Sequence, residues 1–148
     1  MRLLLPLLGM LAACGGSAAY DPDALPPGEF LHSLYFQPEH LVVTSQRDWE
    51  IEWPHLSGEL TPAPEVDFAH FMVLVAALGE RPTSGYQVTI DDVRTIRNDR
   101  LAARILETVP GKGCGLLQVA TTPAQAITVP RFAGTVEFSQ GSRVLDCK

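Results

Sequence analysis

Hydrophobic and polar positions change period several times along the chain, and each change predicts an element. Residues 3–10 are almost wholly apolar, whereas residues 15–28 are small, polar and proline-rich with no apolar period. Leu41-Val42-Val43-Thr44 is the first β-branched stretch and predicts a strand. Ser45-Gln46-Arg47-Asp48 then resembles a helix N-cap with an acidic residue at N3. Trp49, Trp53 and Leu56 fall at i, i+4 and i+7, one face of a helix. Pro54 should stop or kink that helix, so a short one is expected. The two tryptophans would suit a ligand platform, but an aromatic face packed on the core is the plainer reading. Pro62 and Pro64 make residues 60–65 a linker or edge crossing.

Residues 71–78, Phe-Met-Val-Leu-Val-Ala-Ala-Leu, form an unbroken apolar run. The run is well short of the roughly 20 residues a helical bilayer span needs, and it lacks helical period. A central strand buried on both faces is predicted. Residues 79–85 read as a loop. Tyr86, Val88 and Ile90 then alternate with Gln87, Thr89 and Asp91, a half-exposed strand expected to form a hairpin with its predecessor. After a break at Asn98-Asp99, Leu101, Ala103 and Ile105 alternate towards Pro110, and residues 111–115 make a second glycine-rich loop. Residues 116–119 and 126–129 predict two further strands, and residues 135–138 and 144–145 close the chain. Strands at about 8–12 residue spacing, with one short helix, predict a mainly β fold: an antiparallel β-sandwich or an open barrel.

The first residues change the picture of where this fold works. Met1-Arg2, an apolar stretch and Leu11-Ala12-Ala13-Cys14-Gly15 describe a secretory signal peptide. The Leu-Ala-Ala-Cys ending resembles the lipobox of bacterial lipoproteins, in which the cysteine becomes the first mature residue and carries a lipid. The expected organisation is a signal peptide over residues 1–13, a lipidated tether over 14–30 and a single β-rich domain over 31–148. A cell-envelope, extracytoplasmic location follows, with covalent lipid on Cys14 as the membrane attachment. The formal net charge of −6 disfavours nucleic acid as a partner, and also direct adhesion to anionic head groups. With Cys14 assigned to lipid, Cys114 and Cys147 are left as a pair in an oxidising compartment, so a disulfide is expected.

Catalytic chemistry is not announced. Histidines stand at 32, 40, 55 and 70, without His-x-x-x-His or Cys-x-x-Cys spacing, so neither metal nor cofactor is expected. No Gly-x-Ser-x-Gly elbow, P-loop or dinucleotide fingerprint is present. Asp91 and Asp92 are adjacent, and in a regular strand would point to opposite faces rather than form a dyad. An enzyme is therefore not expected. The distinctive segment is Arg81-Pro82-Thr83-Ser84-Gly85-Tyr86. Pro82 fixes φ, Gly85 permits positive φ, and Thr83 and Ser84 offer local hydrogen bonds. Such a loop presents Arg81 and Tyr86, types enriched at binding hot spots, as protein-contact candidates.

These residues also carry a resemblance. Pro64-Glu65-Val66-Asp67-Phe68, Met72-Val73-Leu74, Leu78-Gly79, the loop 81–86, Val88 and Ile90 look like the PrcB C-terminal domain of bacterial lipoproteins. There a Val-Asp-Phe lead-in precedes an apolar strand, and a Pro-Thr-Gly-Gly-Tyr-like loop turns into the next. Ser84 stands where that family usually has glycine. The likeness covers about residues 64–130 and implies an extracytoplasmic, non-catalytic domain that binds or stabilises another protein. The family takes its name from a lipoprotein subunit of a surface protease complex, which makes an envelope protease one candidate for that partner. A second, weaker likeness is to chagasin-type protease inhibitors, through loops 81–86, 111–115 and 130–132, which would then cluster at one end of the fold. A structural envelope lipoprotein without a soluble partner is the remaining alternative.

Overall fold

A computed structural model describes residues 28–147. The expected signal peptide, Cys14 and residues 15–27 of the expected tether lie outside the described residues. Seven strands and one helix follow in chain order: β1 (Gly28–Phe30), β2 (Glu39–Val43), α1 (Gln46–Ser57), β3 (Phe71–Ala77), β4 (Gln87–Arg97), β5 (Arg100–Pro110), β6 (Ala124–Pro130) and β7 (Thr135–Leu145). They make two sheets, ordered β1-β6-β3-β2 and β4-β5-β7. The result is the expected β-sandwich, with no closed barrel. α1 covers the outer face of the first sheet.

This three-layer arrangement explains why the 71–78 run has no polar positions. Met72, Leu74 and Ala76 point between the sheets, onto Val88, Ile90, Leu101, Ala103 and Ile105. Val73, Val75 and Ala77 point the other way, onto Trp49 and Leu56 of α1. Alternation along a strand sends every side chain into one of two dry layers. α1 begins where the sequence places it: the Ser45 Oγ accepts from the Asp48 N–H at 3.1 Å. Pro54 neither stops nor displaces the helix, which runs on to Ser57 and ends at Gly58, φ +70°, whose N–H donates to the Pro54 carbonyl. A carbonyl is what proline still offers, so it serves the left-handed cap.

Several expectations change. β3 and β4 do not form a hairpin, because β2 and β6 occupy both edges of β3. The chain instead crosses to the other sheet through the loop 78–86. Residues 116–119 form no strand. Residues 135–138 and 144–145 belong to one continuous β7, which runs parallel to β5. That direction follows from β6 lying in the opposite sheet, so the chain reverses twice between the two. β1 also takes the last three residues of the stretch read as tether into the first sheet, pairing them with β6.

Two buried polar side chains on β6 behave differently. Gln125 Oε1 accepts from the Ile90 N–H at 2.6 Å, a bond from one sheet to the backbone of the other. Thr128 faces the α1 side, and its hydroxyl is buried with no hydrogen-bond partner. Burying an unpaired hydroxyl costs about 1–3 kcal/mol. Thr128→Val keeps the shape and removes that group. Its urea unfolding curve should show stability unchanged or raised by up to about 1 kcal/mol; a clear loss would mean the hydroxyl has a partner.

Candidate functional site

The loop 78–86 is held by backbone before any side chain contributes. The Leu78 N–H donates to the Pro123 carbonyl and the Glu80 N–H to the Phe36 carbonyl. Arg81 and Thr121 exchange two backbone bonds, at 2.8 and 2.9 Å. Gly79 has φ +76°, and a Cβ there would meet the Gln37 backbone at 2.9 Å, so this corner needs glycine. Ser84 does not, since among the described residues positive φ is confined to glycines. Its serine does something glycine cannot: Oγ accepts from the Leu117 N–H at 2.9 Å, while the Ser84 N–H donates to the Leu117 carbonyl. Gly85 takes the left-handed conformation instead, φ +91°.

Arg81 is turned inward. Its Nε donates to Glu107 Oε1 at 2.8 Å, its Nη1 donates to the Leu78 and Glu80 carbonyls, and its guanidinium lies 5.9 Å from the Tyr86 ring centre. Both members of the ion pair are about one-quarter exposed, at 23% and 25%. They form one wall of a cleft of about 360 Å³ with Leu78, Ile105 and Gln140. Tyr86 packs on the inter-sheet core. Pro82 and Gly85 are exposed, and Thr83 and Ser84 are half-buried. Thr83 also accepts, through its carbonyl, from the Thr121 hydroxyl.

Residues 111–121 therefore belong to the same platform. Cys114 and Cys147 form a disulfide, with Cα atoms 4.9 Å apart, tying this segment to the end of β7. Leu117 and Val119 lie beside the loop and are 71% and 47% exposed. A strand over residues 116–119 would turn one face to the core, whereas the irregular segment leaves both side chains out. They leave exposed apolar area beside the braced loop.

The other candidates are dispersed. β3 pairs Phe71 with Pro130 and Ala77 with Ala124, so residues 130–132 sit at the far end of the sheet from the loop 81–86. Seven residues of strand separate the two ends, roughly 20 Å. The Arg131 N–H donates to the His70 carbonyl, and its Nη1 donates to the Thr44 and Phe68 carbonyls. The three loops of a chagasin-type inhibitor are thus not assembled here, and that reading is withdrawn.

Asp91 and Asp92 depart from strict alternation because a bulge lies between Ile90 and Asp92. Asp91 accepts two bonds from Arg104, at 2.8 Å each, which hold its carboxyl below the usual carboxylate range. His70 Nδ1 lies 2.6 Å from Asp67 Oδ2 and likewise lowers the Asp67 carboxyl. His40 stacks on Phe138, and burial lowers the pKa of its ring. Among the described residues, no group of three or more His, Cys, Asp or Glu side chains is placed to hold a metal ion. A second cleft, of about 620 Å³, is walled by Ile90, Val93, Leu101, Ile127, Val129 and Phe132. Its lining is apolar, with charges at Asp91, Arg94 and Arg131. No helix among the described residues is long and apolar enough to cross a membrane.

A protein-family model described as PrcB C-terminal matches residues 72–130, the family that the sequence resembles. The matched span starts within β3 and ends with β6, and it contains the whole loop 78–86 together with β4 and β5. This is an accessory-type domain family rather than a known catalytic one. No curated protein and no solved structure matches the chain.

Proposed function

We propose that this protein is a lipid-anchored, non-catalytic accessory domain of the cell envelope that binds another protein, an envelope protease being the favoured partner. The observation that carries the reading is the PrcB C-terminal match over residues 72–130, which takes in the braced loop entire. The disulfide supports an oxidising, extracytoplasmic compartment. Cys14, with Leu11-Ala12-Ala13 before it, is the proposed lipidation site.

The loop 81–86 is the proposed contact. Arg81 gives it rigidity through Glu107, so little conformational freedom is lost when a partner docks. The exposed Pro82 and Gly85 form its tip, with Leu117 and Val119 alongside.

Affinity capture from detergent-solubilised native envelope, with the full chain as bait, tests the reading. Wild type should retain an envelope protease, identified by mass spectrometry. The double variant Arg81→Ala with Tyr86→Ala should lose it. Because that variant also removes the loop's brace, Pro82→Asp is the second probe: it alters the exposed tip alone and should lower capture at least tenfold with an unchanged melting curve. Full capture by Pro82→Asp removes the loop from the proposal, and no retained protein with any bait removes the accessory reading. Labelled palmitate should enter wild type and be absent from Cys14→Ser.

A further inference from the structure

Each sheet ends in two edge strands, and three of the four are blunted. β1 has three residues and β2 five. β4 carries register shifts at Ile90/Asp92 and Thr95/Arg97, and its Ile90 N–H is taken by Gln125. β7 is different. It runs eleven residues without proline and pairs with β5 residue for residue with no shift. Among the described residues no strand lies on its outer side. A long regular edge of this kind presents a row of backbone donors and acceptors to another strand.

We propose that the occupant is β7 of a second copy of this chain, running antiparallel about a two-fold axis at Gln140. The two three-stranded sheets then join into one continuous sheet. The pattern within β7 selects this partner. Full overlap of Thr135–Leu145 with itself places Gln140 opposite Gln140, Val136 opposite Val144 and Glu137 opposite Arg143. Glu137 and Arg143 are the only charged residues of the strand, so the register with the longest ladder is also the register that pairs its charges, twice. Any slip shortens the ladder and separates them. Opposite charges directly across an antiparallel pair stabilise it, and like charges there oppose it.

The surroundings agree with this pairing. Glu137 and Arg143 share a face, where Glu137 accepts from Arg100 at 2.8 Å and Arg143 Nε donates to Thr108 Oγ1 at 2.9 Å. A guanidinium has five N–H donors, so Arg143 keeps others for the opposing carboxylate. Val144 is 71% exposed in the single chain, and Val136 of the second copy would cover it. Such an interface is isologous and closed: each copy offers the same strand, which the pairing uses up, and the strands left at the edges are the blunted ones.

Sedimentation equilibrium of the purified full chain in detergent tests the pairing, with a reversible dimer expected. Glu137→Arg and Arg143→Glu should each weaken the dimer by about tenfold, because each puts like charges opposite at two symmetric places. The double variant should return to within about threefold of wild type. Within one chain these residues are six apart along a strand, roughly 20 Å, beyond the Debye length of about 8 Å at physiological salt. Rescue therefore reports a contact between copies. A chain that stays monomeric, or a double variant no tighter than the singles, overturns the proposal. Gln140→Cys is the independent check, since antiparallel partners have Cα atoms about 4.5–5.5 Å apart, within disulfide reach. It should give a dimer on a non-reducing gel, whereas Gln87→Cys on β4 should not; no Gln140→Cys dimer overturns the pairing as well.

Discussion

Trp49→Ala is expected to cost about 3–5 kcal/mol of unfolding free energy, a large share of the 5–15 kcal/mol typical of such a domain. Trp49 has zero exposure and lies in the layer between α1 and β3, against Leu56, Val73 and Val75. Its indole N–H donates to the Pro64 carbonyl at 3.1 Å, so truncation leaves a cavity and removes the nearer of that carbonyl's two donors, the Gln46 Nε2 at 3.4 Å being the other. The surrounding layer has little freedom to collapse, since β3 is held by strands on both sides. Trp53 makes a useful comparison. It is half-buried, meets Trp49 edge-on at 5.3 Å, and donates to Thr61 Oγ1. Trp53→Ala should cost clearly less in the same urea titration. Equal losses, or a loss below about 1 kcal/mol at Trp49, would show that α1 is not seated as described.

That layer was legible because hydrophobic period reports which faces are dry. The spacing of Trp49, Trp53 and Leu56, the Ser45 cap and the all-apolar 71–78 run each describe a local fact, and each is found where expected. Period does not report neighbours. Nothing in Val88 and Ile90 distinguishes a strand beside β3 from one facing it across the core, so their alternation fits a hairpin as well as the facing strand that is found. The middle of β7, Ser139 to Ser142, is polar with a glycine, which made one strand look like two. Its regularity comes from pairing with β5 rather than from its own residues.

The candidate site divides in the same way. Gly79, Pro82 and Gly85 mark a shaped loop on local grounds, and the structure has one there. What Arg81 does was not legible, because its carboxylate partner, Glu107, lies 26 residues away on a strand whose face the sequence leaves open. An arginine in a loop looks like a hot spot until its ion pair is seen. Gln125 was hidden for the same reason: a lone glutamine in an apolar strand has no sequence mark of its bond to the Ile90 N–H. Cys114 and Cys147 were legible by elimination, once Cys14 was read as the lipid carrier.

Losing that disulfide is the second large effect expected. The bond closes a span of 33 residues. In the chain-entropy account this stabilises the fold by about 3–4 kcal/mol. The span holds β6, which lies in the opposite sheet, while β5 and β7 at its two ends are parallel neighbours. A crosslink there restricts the unfolded chain and closes the one crossover that leaves the second sheet and returns to it. Cys114→Ser, Cys147→Ser and the double variant should therefore lose the same amount in urea titrations, and reductant should destabilise wild type alone. Unequal single variants would point to a packing role for one sulfur, and wild type indifferent to reductant would mean that the thiols are not joined. The platform should respond before the core does. Residues 111–121 bond to Thr83 and Ser84, so a loosened segment frees the loop 81–86 while β3 and β6 stay paired. Hydrogen exchange should rise first at the Ser84, Cys114 and Leu117 amides of the reduced protein, with the Val73 and Val75 amides still protected. Exchange rising together in both places would show that platform and sandwich open as one unit.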